Sequence, residues 1–171
     1  MPNGDIVEFG GKLVKDVTGY NMVQLMIGSE GTLGVFTKIV LKLIPLPKAQ
    51  VDLLCLFKSS EEAIAAVPKI MTAAGITPTS IEYMDKDSVQ SACQYLNENI
   101  PYQKAGAMLL ITVDGADKEQ VEKDYELVGE LCIKEGAIEV YVADNPTTSE
   151  RIWKVRRNIP GTRYPRKVFH S

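Results

Sequence analysis

The sequence predicts an α+β fold, an antiparallel sheet with helices packed on one face, and three observations carry this. Four strand-like segments, VDLLCLF, SIEYM, AMLLITV and AIEVYVA, recur between Val51 and Ala143. Amphipathic segments of helical period separate them, and Gly, Pro, Asn or Asp mark most of the joints. A chain of 171 residues with 45% hydrophobic content is also long enough to bury a real core, roughly 70% of its unfolded surface.

Taken in order, PNGDIVEFG at residues 2–10 reads as an Asn-Gly turn leading into a short strand. Asn21 caps a short helix in which Met22, Val23, Met26 and Ile27 share a face, and Gly28 stands where a terminating glycine belongs. VFTKIVLKLI then alternates with period two: Val35, Thr37, Ile39, Leu41 and Leu43 fall on one side of an expected strand. Pro45 and Pro47 cannot donate to a ladder and hold their neighbours extended, so PLPKAQ is the expected linker between residues 1–47 and 48–171.

Beyond the linker, VDLLCLF is a strand. Ser59 and Glu62 form a capping box for a helix whose stripe is Ala63, Ile64, Val67, Ile70, Met71 and Ala74, closed by Gly75 and kinked at Pro68. SIEYM is the second strand and DKDSVQSACQYLNEN the second helix. AMLLITV is the third strand, and Asp117 to Gly136 spans the longest expected helix. AIEVYVA is the fourth strand, and a last helix begins at a Thr147 or Thr148 cap and is stopped by Pro160 and Gly161. Two βαβ-like units in succession correspond to a ferredoxin-like arrangement. The abrupt hairpin at the start and the tail TRYPRKVFHS create the expectation of truncation at both ends.

Charge and composition exclude several functions. With 19 basic and 22 acidic residues, a net charge of -3 and the lysines and arginines dispersed among acids, there is no electrostatic footprint for a nucleic acid. The local exception is RIWKVRRNIPGTRYPRK. No run approaches the length of a membrane span and the first residues lack the regions of a signal peptide, so a cytoplasmic chain is expected. Cys55, Cys93 and Cys132 are odd in number and set in apolar patterns, so buried reduced thiols are expected. His170 is the single histidine and stands next to the end; it builds neither a metal site nor a hydrolytic triad.

GSEGTLG, residues 28–34, is the one motif with chemical character. Its G-x-x-G-x-x-G spacing and helix-to-strand placement differ from the dinucleotide fingerprint, and it lacks the Lys-Ser/Thr of a phosphate loop. Spacing alone leaves two readings open: a plain turn, or a backbone free of Cβ atoms that meets an anionic or planar ligand closely.

The segments GGK at 10–12, KDVTGY at 15–20, GSEGTLGV at 28–35 and LKLIPLP at 41–47 resemble the end of the FAD-binding domain in FAD-linked oxidases of the vanillyl-alcohol oxidase type, in the branch of the D-lactate dehydrogenases and the flavin subunit of glycolate oxidase. Asn21 departs from the Asp of many relatives. Residues 50–171 resemble more loosely the first part of that family's C-terminal cap, or substrate, domain, most clearly at SERIWKVRRNIP. The resemblance implies a partial FAD-binding subdomain at 1–47 and a ferredoxin-like cap domain at 48–171. It implies an enzyme that oxidises a D-2-hydroxy acid of the lactate or glycolate type by hydride transfer to FAD. Gly28, Ser29, Glu30, Gly31, Thr32 and Gly34 become the edge that meets the cofactor, and Arg156 the contact for the substrate carboxylate, which a planar guanidinium suits.

The same resemblance implies that the FAD pyrophosphate loop and a histidine-rich stretch supplying metal ligands and base are missing here. The chain is then a fragment, inactive in isolation, whose exposed apolar N-terminal strand is expected to be covered by the cap domain or by a second copy, or else to be disordered. The alternative of another class is a free-standing ferredoxin-like binding or regulatory module without catalysis, for which residues 1–47 would have no use. Purified alone, the chain is expected to lack stoichiometric flavin absorbance; tightly held FAD at one per chain would overturn that expectation.

Overall fold

The structure is a computed structural model that describes residues 1–73 and 75–163. Ala74 of the expected α-helical stripe and the tail from 164 onward, with His170, lie outside the described residues. Two compact units divide the chain, Met1–Pro45 and Leu46–Ser171.

In the first unit the one helix is α1, Met22–Met26, and the Asn21 side chain accepts from the Gln24 N–H at 3.1 Å, as a cap should. The turn at the start is present, closed by the Gly4 N–H to the Met1 carbonyl at 3.0 Å. Neither expected strand forms. Residues 35–44 are extended without ladder partners, and Val35, Ile39, Leu41, Leu43 and Ile44 are all exposed. The reason is physical: a strand is stabilised by its neighbour, and period-two alternation supplies a face without supplying an edge to pair with.

The second unit contains β1 (Ala49–Phe57), α2 (Ser60–Ala73), β2 (Ser80–Asp85), α3 (Lys86–Leu96), β3 (Ala107–Gly115), α4 (Lys118–Lys134), β4 (Glu139–Ala143) and α5 (Pro146–Arg163). The sheet runs β2-β3-β1-β4 and every neighbouring pair is antiparallel. In the central pair, Ala49 opposes Gly115 and Phe57 opposes Ala107.

The expectation of helices on one face is corrected. Leu53, Cys55, Phe57, Leu109 and Ile111 pack with Ala63, Ala66 and Ile70 of α2 and Val121, Val128 and Cys132 of α4. Leu54, Leu56, Met108 and Leu110, on the opposite face, pack with Val89, Ala92 and Cys93 of α3 and Ile152 and Val155 of α5. Successive strand side chains point to opposite faces, so the unbroken apolar runs LLCLF and AMLLI require cover on both sides. α3 stands where a bare hairpin would otherwise join β2 to β3.

Local signals hold in most elements. The Ser59 hydroxyl accepts from the Glu62 N–H at 3.2 Å, and the Glu62 carboxylate reaches back to the Lys58 N–H at 3.2 Å, one residue short of a standard capping box. Asp85 caps α3 and Asp117 caps α4. Gly106 lets β3 begin hard against the end of β1, since a Cβ there would collide with the Lys58 carbonyl oxygen.

Two helices differ from expectation. The buried stripe of α2 is Ala63, Ala66 and Ile70, whereas Ile64 is 59% and Met71 53% exposed; the helix also continues through Pro68. α5 is capped by Asn145, whose side chain accepts from the Thr148 N–H at 2.9 Å, with Pro146 in the first turn. Instead of stopping at Pro160 it continues to Arg163 and, at 18 residues, exceeds the 17 of α4. Packing of Ile152, Val155 and Ile159 against the sheet outweighs the donor that Pro160 removes.

Cys55, Cys93 and Cys132 are free and buried. The Cys132 thiol beside it, and then burial, push the Cys55 thiol well up, and burial pushes Cys93 up, so both stay protonated. No described helix is long and apolar enough to cross a membrane.

The position of the α2 stripe is directly testable. Ile70→Ala is expected to cost about 2–5 kcal/mol in urea unfolding, while Ile64→Ala changes stability by about 0.5 kcal/mol or less. Equal losses at the two positions would contradict this packing.

Candidate functional site

The loop 28–34 follows α1 directly. Gly28 and Gly31 have φ of 80° and 81°, in the left-handed region, and a Cβ at either would meet nothing within 4 Å. Glu30 shares that region at φ 50°. The Ser29 N–H donates to the Met26 carbonyl at 3.2 Å; the Thr32 N–H and hydroxyl both donate to the Ser29 carbonyl, at 2.9 and 2.7 Å. The turn is therefore internally braced. Gly34 is buried, and a Cβ there would lie 3.4 Å from the Met26 Cε, so its smallness serves packing.

One group in this loop lacks a partner: the Ser29 Oγ is buried without a hydrogen bond. A buried hydroxyl left unpaired costs about 1–3 kcal/mol. The approach to Gly28 and Gly31 is open.

Arg156 belongs to the other unit, in α5. Its Nε and Nη2 both donate to the Glu82 Oε2 on β2, at 3.0 and 2.6 Å. The two side chains are 29% and 34% exposed. Every described basic side chain between 151 and 157 has an acidic partner. Arg151 and Lys154 converge on Glu98 at 3.1 and 3.0 Å, and Arg157 pairs with Glu150. The basic residues between 151 and 157 are thus locally neutralised in the fold.

Beside its apolar packing, α5 is tied to the sheet by a buried carboxylate that sequence reasoning passed over. Asp52, 1% exposed, stands on the β1 face covered by α3 and α5. Its Oδ1 accepts from the Thr112 hydroxyl on β3 at 2.5 Å. Its Oδ2 accepts from the Trp153 indole N–H at 3.0 Å and from the Ser149 hydroxyl. Three neutral donors from two elements satisfy a charge that would otherwise be costly to bury. Ser149, Trp153 and Arg156 are spaced by four and three, so they share a helical face. The available signal was a carboxylate inside the apolar run VDLLCLF. Glu82 and Glu98 gave no sequence signal, since both look like ordinary surface acids.

The second unit is an α+β domain, an antiparallel sheet of order β2-β3-β1-β4 covered by helices on both faces. The description "FAD linked oxidases, C-terminal domain" matches residues 46–168, and the chain belongs to that family. It is 38% identical over 162 residues to a D-lactate dehydrogenase of Anaerostipes hadrus, covering 91% of this chain and 34% of that protein. It is 37% identical over 158 residues to glycolate oxidase subunit GlcD of Bacillus subtilis (strain 168), covering 92% and 33%. The chain therefore spans about a third of the length of these relatives. A solved alkyldihydroxyacetonephosphate synthase shares the fold at a TM-score of 0.54 and 24% identity, over 85% of this chain and 30% of that one.

Two predictions concern α5. Asp52→Ala leaves three donors without their acceptor and is expected to cost about 1–3 kcal/mol for each that water cannot reach. Urea unfolding followed by the fluorescence of Trp153, the sole tryptophan, measures this, and Asp52→Asn should lose less. The second concerns acid. Lys154 and then Arg151 hold Glu98 below the ordinary carboxylate range. Its stabilising contribution is complete above the unfolded value of about 4.3 and is lost as pH falls through the lower folded value. Glu98→Gln is expected to flatten that acid limb of the stability curve; an unchanged limb would show the cluster to be energetically idle.

Proposed function

We propose that this chain is part of an FAD-dependent oxidoreductase acting on a D-2-hydroxy acid of the lactate or glycolate type, with residues 48–171 as its substrate, or cap, domain and 1–47 as the end of its FAD-binding domain. The observation that carries this is family membership over residues 46–168 joined to an anchored, partly exposed arginine at 156. The relatives' printed names, D-lactate dehydrogenase and glycolate oxidase, supply the substrate class.

In this reading Arg156 receives the substrate carboxylate. Two parallel N–H donors on one edge of the planar guanidinium hold a carboxylate in one orientation as well as binding it, which aligns the neighbouring carbinol carbon. Asp52 acts through α5, fixing the helix that carries Arg156. Ser29 Oγ and the backbone of Gly28, Glu30, Gly31 and Thr32 form the flavin-facing edge, with Gly34 keeping the loop close to α1. FAD, when bound, supplies the hydride acceptor. The base that takes the hydroxyl proton belongs, on this reading, to a part of the protein outside the described residues.

The test uses the complete flavin-loaded protein that carries this segment. Anaerobic D-lactate or glycolate is expected to bleach the flavin absorbance, L-lactate is not, and Arg156→Lys is expected to raise KM for D-lactate about tenfold or more with a smaller change in kcat. That factor corresponds to the loss of one charge-assisted hydrogen bond at a partly exposed site. Absence of bleaching by any 2-hydroxy acid would overturn the reading.

A further inference from the structure

The way Arg156 is held leaves an unsatisfied half on each member of the ion pair. A guanidinium has two edges able to take a carboxylate: a side edge made by Nε–H and Nη2–H, and a terminal edge made by Nη1–H and the second Nη2–H. Glu82 occupies the side edge, and it does so with a single oxygen, Oε2, accepting from both Nε and Nη2. The terminal edge has no partner among the described residues, and neither does the Glu82 Oε1. Both side chains remain partly open to solvent. The pair therefore combines an unused two-donor fork with an unused anionic acceptor.

The geometry points to Glu82 and Arg156 acting together as a recognition element for a 2-hydroxy carboxylate, a role that rests on the reading of Arg156 given above. The substrate carboxylate lies on the terminal fork of Arg156, and the substrate hydroxyl, one carbon away, donates its hydrogen bond to the Glu82 Oε1. Glu82 is then a specificity residue. It accepts from a hydroxy acid, which has an O–H to give. It repels a 2-keto acid, whose carbonyl oxygen only accepts, so the same contact favours substrate over product. Fixing Arg156 along its side edge also reduces the rotamer freedom lost on binding.

Glu82 brings a negative charge near an anion site, so its removal raises the affinity for every anion. Absolute affinity is for that reason the wrong measure, and the ratio between matched ligands is the right one. The experiment titrates the 171-residue protein with D-lactate, propionate and pyruvate, following the Arg156 Nε–Hε resonance by NMR. Propionate lacks the hydroxyl and pyruvate replaces it with a carbonyl.

With the wild-type protein, D-lactate is expected to bind about tenfold more tightly than propionate, as for one hydrogen bond to a charged acceptor at a partly exposed site, and pyruvate more weakly than propionate. Glu82→Gln, close in shape, is expected to bring all three within about threefold of one another, whatever happens to their absolute affinities. Glu82→Asp should retain part of the discrimination. A Glu82→Gln variant that keeps the wild-type lactate-to-propionate ratio, while Arg156→Lys abolishes binding, would overturn the role of Glu82 and leave Arg156 standing. A wild-type resonance that responds to none of the three carboxylates would overturn the Arg156 reading, and with it this inference.

Discussion

The β1–β3 ladder is the constraint on which the second unit depends. Its register runs from Ala49 opposite Gly115 to Phe57 opposite Ala107, and most of both strands is buried. A one-residue slip would exchange the set Leu53, Cys55 and Phe57 with the set Leu54 and Leu56. Both sets are apolar, so hydrophobicity alone fixes this register weakly. Asp52 breaks the degeneracy. It faces Thr112, Ser149 and Trp153, whereas the opposite face, among Leu53, Cys55 and their partners in α2 and α4, is mainly apolar. One buried carboxylate thereby specifies which face receives α5.

From that placement follows the electrostatics of the candidate site. α5 brings Arg151, Lys154 and Arg156 down onto acids contributed by the end of α3 and by β2. Exposed pairs of this kind add little stability, about 0–1 kcal/mol each. Their consequence is positional, since they decide which basic group retains unused donors and in which direction its fork is held. Arg151 also spends a donor on the Asn99 carbonyl, whereas Arg156 meets a single carboxylate oxygen. That difference separates a structural arginine from one suited to a ligand.

Much of the second unit was legible because its signals are local. Strand positions followed from apolar segments bounded by turn residues, and the Ser59 cap followed from a short polar side chain standing before a helical period, as the Asn21 cap did in the first unit. The start of α5 was expected at a Thr147 or Thr148 cap, whereas Asn145 caps it with Pro146 in the first turn. Ile64 and Met71 were misplaced because the α2 stripe could be drawn on either side of Ala63 and Ile70, and the tight approach to the sheet favours small Ala66 over larger neighbours. Residues 35–44 show the limit most clearly: alternation led to the expectation of a strand, yet the partner edge a strand requires is not supplied and both alternating sets are exposed.

The sequence by itself determined the class of fold, the order of elements in the second unit, the burial of three thiols and, through the residues around GSEGTLG, the family to which the chain belongs. These depend on patterns contained within a few turns of helix or a few residues of strand. Only the tertiary structure decided that the sheet is covered on both faces, that α5 passes through Pro160, that Asp52 anchors it, and that Glu82 holds one edge of Arg156. The hydrogen bonds behind the last two join residues 74 to 101 positions apart. Hydrogen bonding and burial act through space, and no local pattern encodes which distant acceptor a donor will meet.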